Sequence, residues 1–136
     1  MVFIDSNIPM YLVGDSHPNQ LLARRTLELL LHEETRLVSD VEVLQEILHR
    51  YAAIGRLDAI QPAFDALHSL VDEVFAIDRQ DLERAKAVLL GSAGLSARDA
   101  IHVATMDRHQ ITTILSFDQG FDKVPGVRRL PRAGLS

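Results

Sequence analysis

Short apolar runs alternate with helical patterns along the whole chain, and this alternation limits the fold more than any other feature. Val2–Asp5, Arg36–Ser39, Val74–Ile77 and Ile111–Ser116 read as strands, with Gly126–Arg129 as a short last one. Between them apolar residues recur three and four apart. The stripes are Leu22, Thr26, Leu29 and Leu30, then Leu44, Ile47, Leu48 and Tyr51, then Leu82, Ala85, Val88 and Leu89. Leu57–Leu70 adds another amphipathic helix, and a strongly apolar one runs from Ser96 to about His109. Strands separated by helices cannot pair as tight hairpins, so the pattern predicts parallel β-α-β units. The expected class is α/β, with a central parallel sheet of four to five short strands flanked by helices.

Local punctuation supports these elements. Ser39-Asp40-Val41-Glu42 matches a capping box, and Gly55 is placed to stop the helix it opens. Asp78 and Ser96 are expected N-caps. Pro62 falls in or near a first helical turn, and the Gly91–Gly94 segment breaks the chain before Ser96. With 136 residues and no internal repeat or linker, the expectation is one domain spanning 1–136.

Composition removes several classes of function. Cysteine is absent, which excludes disulfides, thiolate catalysis and zinc fingers and fits a cytoplasmic location. No apolar run approaches the roughly 18 residues of a membrane span; Glu28 interrupts the densest one, Leu27–Leu31. The net charge of −5 argues against broad electrostatic binding to nucleic acid. Arginines are dense only locally, at Arg24-Arg25 and around Arg128, Arg129 and Arg132.

The carboxylates are the candidates for chemistry. Asp5 and Asp118 each follow a buried-looking strand, Asp99 opens the most apolar helix, and Glu46 borders a helical stripe. The carboxyl ends of strands line the ligand crevice of an open α/β sheet. Acids delivered there from distant parts of the chain suit a hard divalent cation. Each also has a plainer explanation. Asp5 would cap a helix beginning at Ser6-Asn7-Ile8-Pro9, Asp99 would complete the cap of Ser96, and Glu46 would pair with Arg50 on an exposed face. Asp118 and Asp122 would lie in a solvated turn, although Phe117 and Phe121 argue that this loop packs inward. Ser6, Asn7 and Ser116 are polar neighbours suited to orienting carboxylates. Glu46-x-x-His49 and Asp99-x-x-His102 also match the spacing of di-iron helix bundles, but the strand runs oppose that architecture. His102 reads as a partly buried helix residue.

Taken together, Val2-Phe3-Ile4-Asp5-Ser6-Asn7, Glu46-Ile47-Leu48, Gly94-Leu95-Ser96-Ala97-Arg98-Asp99-Ala100-Ile101-His102-Val103-Ala104 and Ser116-Phe117-Asp118 with Phe121-Asp122 resemble the PIN domain, and within it the VapC-type ribonuclease toxins. The likeness covers nearly the whole chain. It implies a three-layer fold and metal-dependent cleavage of RNA. By resemblance Asp5, Asp99 and Asp118 would hold Mg2+ or Mn2+, Glu46 would bind a second ion or orient water, and Asp122 matches a further acid. Two ions about 3.5–4 Å apart can activate water and stabilise the leaving oxygen. Ser116 stands where members often have Thr and keeps the hydroxyl. The likeness also implies a homodimer and a cognate antitoxin, whose arginine would enter the carboxylate cluster while apolar residues around Leu57–Leu70 receive its apolar segment.

Two rivals remain at this stage. A receiver-type signalling domain would need an acidic pair after the first strand, whereas Ser6-Asn7 follow Asp5. A non-catalytic binding module would have no reason to keep all four acids. Repulsion among unscreened carboxylates predicts that Asp5→Asn or Asp118→Asn raises the melting temperature of the metal-free protein. Nothing in the sequence names the RNA that is cut.

Overall fold

The computed structural model describes residues 1–92 and 94–132. Residue 93 of the expected Gly91–Gly94 break, and residues 133–136 of the expected domain, lie outside that range. Five strands, β1 (Val2–Ile4), β2 (Leu37–Asp40), β3 (Glu73–Phe75), β4 (Thr113–Leu115) and β5 (Arg128–Leu130), form one sheet in the order β3-β2-β1-β4-β5. Every neighbouring pair is parallel, with Phe3 beside Val38 on one side and Ile114 on the other. Six α-helices connect them: α1 (Asn7–Val13), α2 (Pro18–His32), α3 (Val41–Ala53), α4 (Ile60–Leu70), α5 (Arg79–Gly91) and α6 (Ala97–Arg108).

The chain walks outward from β1 through β2 to β3, then returns across the sheet to β4 and β5. Right-handed crossovers on the outward and return paths place helices on both faces. Accordingly α1 packs on α2 and α4, while α5 packs along α6. Phe3, Ile4, Leu37, Val38, Ile114 and Leu115 are fully buried, as expected of central strands covered on both sides. The direction of the walk reverses between β1 and β4. Crevices in open parallel sheets form at such a switch point, and the strand order differs from the 2-1-3-4-5 order of receiver domains. That rival is excluded by topology.

Several sequence readings shift. β2 runs one residue further than expected, through Asp40, so Asp40 rather than Ser39 caps α3: its Oδ1 accepts the Val43 N–H at 3.1 Å. Ser39 instead donates its hydroxyl to the Ile4 carbonyl at 2.9 Å. The stripe on α2 is Ala23, Leu27 and Leu30, and Leu29 faces solvent. On α3 the inward residues are Val43, Ile47 and Tyr51, with Leu48 exposed; on α5 Asp81 and Ala85 point inward and Leu82 is half exposed. These helices carry more leucine than one face can bury, so periodicity alone cannot choose the face. Gly55 takes φ +71°, the left-handed conformation that ends α3. Pro62 sits in the first turn of α4, where it disrupts no ladder bond.

Candidate metal centre at the switch point

The strand ends deliver three acids to one place. Asp5 follows β1, Asp40 ends β2, and Asp118 follows β4; α3 brings Glu46, and α6 brings Asp99 and His102. Asp5 is almost wholly buried and accepts the Ser6 N–H on Oδ1 at 2.8 Å and the Ser116 hydroxyl on Oδ2 at 2.5 Å. α1 does begin here, but the Ser6 side chain makes no cap hydrogen bond. Asn7 stands beside them, its Nδ2 3.3 Å from Ser116 Oγ. Ser6 donates its hydroxyl to Glu46 Oε2 at 3.0 Å. Glu46 therefore turns inward, and no Glu46–Arg50 ion pair forms among the described residues.

Asp99 and Asp118 face each other near the mouth of the crevice. Gly120 lies under both: a Cβ built on it would stand 3.0 Å from Asp118 Oδ1 and 3.7 Å from Asp99 Oδ2. The Gly120 N–H donates to Asp118 Oδ1 at 2.8 Å, and Ser96 Oγ accepts the Asp99 N–H at 3.1 Å. The capping role of Ser96 and the approach of the two carboxylates thus coexist. Burial, reinforced by Asp118, pushes the Asp99 carboxyl up to about 8, so that the two carboxyls titrate together as a pair. The hydrogen bond from Asp99 lowers Asp118, against the opposing effect of burial. Burial also raises Asp5, with the nearby Glu46 adding and His102 opposing.

His102 is a correction to the sequence reading. It is completely buried, not partly, with its ring tilted on Phe3 at 5.2 Å between centroids. Nδ1 lies 2.9 Å from Asp40 Oδ2, and Nε2 meets Glu46 Oε1 and stands 3.7 Å from Asp5 Oδ1. Burial alone would lower its pKa, but Asp40, Glu46 and Asp5 together hold it well above the ordinary histidine value. His49, the other half of the bundle pattern, is exposed on α3.

Asp122 does not join the others. It stands half exposed, in a bidentate pair with Arg129. Sequence reasoning missed Asp40 and Thr105, whose hydroxyl donates to Asp40 Oδ2 at 2.7 Å. An acid directly after a buried strand was the signal that singled out Asp5, and it applies equally to Asp40; the capping-box reading absorbed it.

The donor set fits a hard cation. Asp5, Glu46, Asp99 and Asp118 offer only carboxylate oxygens, and Gly120 lets the backbone approach closely, since a Cβ there would press on Asp118 Oδ1 at 3.0 Å. One ligand atom from each of Asp5, Glu46 and His102 also lies within 4.8 Å of the others. A cavity of about 600 Å³ opens beside Glu46, lined by Ser6, Asn7, Tyr11, Arg50 and Arg98 among others. No helix among the described residues is long and apolar enough to cross a membrane.

The sequence model of the PIN domain family matches residues 2–127. Ribonuclease VapC13 of Mycobacterium tuberculosis is 59% identical over 130 residues, covering 96% of this chain and 99% of that protein. Among solved structures, the crystal structure of M. tuberculosis VapC20, a sarcin-ricin loop cleaving toxin, superposes with a TM-score of 0.69 at 21% identity, over 87% of this chain and 90% of that one. VapBC2 of Rickettsia felis, bound to a DNA fragment from its promoter, gives a TM-score of 0.70 at 16% identity, over 95% and 97%.

Proposed function

The chain belongs to the PIN domain family, and from that premise we propose that it is a divalent-metal-dependent ribonuclease acting as the toxin of a toxin–antitoxin pair. The observations that support the proposal are the Asp5–Glu46–His102 group, with ligand atoms within 4.8 Å of one another, the Asp99–Asp118 pair that acts electrostatically on Asp5, and the 59% identity to a VapC ribonuclease. In this reading Asp5, Asp99 and Asp118 hold the metal, and Glu46 holds a second ion or orients the attacking water. Bound Mg2+ or Mn2+ supplies charge neutralisation at the phosphate and a more acidic water.

The chain's own residues do the rest. Ser6, Asn7 and Ser116 fix Asp5 and Glu46 by hydrogen bonds, so the carboxylates keep their places before an ion arrives. Arg50 and Arg98 line the cavity beside Glu46, where they attract the phosphates of a single strand. Asp122 is left to its ion pair and is not assigned a ligand role. The partner is an antitoxin; of the expected Leu57–Leu70 surface only Leu57 is a large exposed apolar residue, because Ala63 and Leu67 are buried, and Leu48 and Ile54 add exposed apolar surface on and just after α3. A second copy of the chain is proposed as the other partner, on the family resemblance alone.

The test is cleavage of a mixed RNA pool by purified protein. Activity should require Mg2+ or Mn2+, stop with EDTA, and be lost in Asp99→Asn. Expression in cells should slow growth with the wild type and not with Asp99→Asn. Equal toxicity of the two would separate any growth effect from nuclease activity.

A further inference from the structure

We propose that Asp40 and His102 form a buried strut that positions Glu46 for metal and water; the proposal rests on the carboxylate cluster being a metal centre. Asp40, His102 and Thr105 are all fully buried. The Asp40 carboxylate collects three contacts: Val43 N–H on Oδ1 at 3.1 Å, and Thr105 Oγ1 at 2.7 Å and His102 Nδ1 at 2.9 Å on Oδ2. Fixed by β2, α3 and α6 at once, it can do only one thing with the imidazole, which is to hold the Nδ1–H and so set the ring plane. Phe3 packs against that ring and restricts it further.

The other nitrogen is what a purely structural histidine would not need. A core histidine would be satisfied by Asp40, with its far edge in apolar contact. Here Nε2 is aimed out of the core at Glu46 Oε1, with Asp5 Oδ1 at 3.7 Å. Glu46 has three rotatable bonds and lies on a partly exposed helix face, so left alone it would sample many rotamers. Instead Oε1 is held by His102 and Oε2 by Ser6 at 3.0 Å. A carboxylate behind an imidazole, fixing its orientation toward a metal centre, is how outer-shell groups tune such sites, and losing one typically costs about 10–100-fold in metal affinity or activity. His102 is thus a positioning residue acting through Glu46.

Two substitutions divide the ring's roles. His102→Asn places an amide near Nδ1 and keeps the Asp40 contact; His102→Gln places one near Nε2 and keeps the Glu46 contact. Mn2+ titration by calorimetry and steady-state RNA cleavage are read on both, and on Glu46→Gln with and without His102→Asn. The expectation for His102→Asn is a retained fold with a lowered melting temperature, since the buried ring leaves a gap, Mn2+ binding weakened by about 10–100-fold, and a lower kcat with KM little changed. His102→Gln should recover part of that loss, and His102→Asn should add little to Glu46→Gln. Asp40→Asn, which releases the ring, is read in the same way and covers the case in which His102→Asn does not fold. Equal losses in the Asn and Gln variants, or losses that add to Glu46→Gln, would overturn the strut and leave a structural histidine. A nitrogen coupling in the pulsed EPR spectrum of the Mn2+-loaded wild type would also overturn it, by making His102 a ligand. Wild type that binds no Mn2+ would overturn the metal-centre reading itself, whereas tight binding unchanged in His102→Asn would sink only the strut.

Discussion

Arg129 holds Asp122 with two parallel hydrogen bonds, Nε to Oδ1 at 2.9 Å and Nη2 to Oδ2 at 3.0 Å, while its Nη1 donates to the Ser116 carbonyl at 3.1 Å. The pair ties the turn after β4 to β5. Its hydrogen bonds keep the Asp122 carboxyl below the usual range and occupy both of its oxygens. Asp122→Asn is therefore expected to keep most ribonuclease activity and to cost on the order of 1 kcal/mol of stability or less, because Asp122 is half exposed. A loss of cleavage comparable to that of Asp99→Asn, measured side by side, would return Asp122 to the metal centre.

The Asp99–Asp118 pair predicts a pH dependence of the metal-free protein. An acid whose folded pKa lies above its unfolded value binds more protons in the native state. Its stabilising effect is complete below the unfolded value, about 4, and is lost as pH rises through the folded one. For Asp99 the folded value is about 8, so the melting temperature with EDTA should fall between pH 5 and 9. Raised Asp5 and His102 act in the same direction. Lowered Asp118 acts oppositely, but only below its unfolded pKa. Asp99→Asn should flatten this slope; an unchanged slope would mean that the pair is not its source.

The three aspartates should then differ when neutralised. Asp99→Asn and Asp118→Asn remove a like-charge contact and should raise apo melting temperature at pH 8 to 9. Asp5→Asn should lower it, contrary to the expectation from repulsion alone. Both Asp5 oxygens accept hydrogen bonds from donors, and an amide would turn one N–H group toward them. A buried mismatch of this kind costs about 1–3 kcal/mol. Thermal melts of the three variants in EDTA test the order.

Metal should reverse the ranking. At about 100 times its dissociation constant, a bound ion adds about 2.7 kcal/mol to wild-type stability. Asp99→Asn should lose that gain, together with cleavage on the order of 10²–10³-fold. Melts with and without Mn2+ read the first effect without any substrate.

Gly120→Ala offers a test from the floor of the crevice. The added Cβ would stand 3.0 Å from Asp118 Oδ1, too close without displacing that carboxylate. Mn2+ affinity should fall while the fold is retained, as judged by circular dichroism. Undisturbed affinity would show that Asp118 tolerates the shift and is not a fixed ligand.

The sequence by itself determined the alternation of strands and helices, their order, and the acids at strand ends, because these follow from local periodicity and capping. Asp5 and Asp118 were candidates as acids after strands, Asp99 as one opening an apolar helix and Glu46 as one bordering a helical stripe, and their grouping into one centre came from the family resemblance. Helix faces were not: α2, α3 and α5 each carry more leucines than one face buries, so only packing selected Leu27 over Leu29 and Ile47 over Leu48. Tertiary structure alone decided the partners. Asp122 and Arg129 are seven residues apart, across a turn whose path no pattern gives. Asp40 and His102 are 62 residues apart and meet only because the middle of α6 crosses the carboxyl end of β2. Local patterns register which residues want burial or a cap, whereas which buried groups satisfy one another depends on the crossing of distant elements.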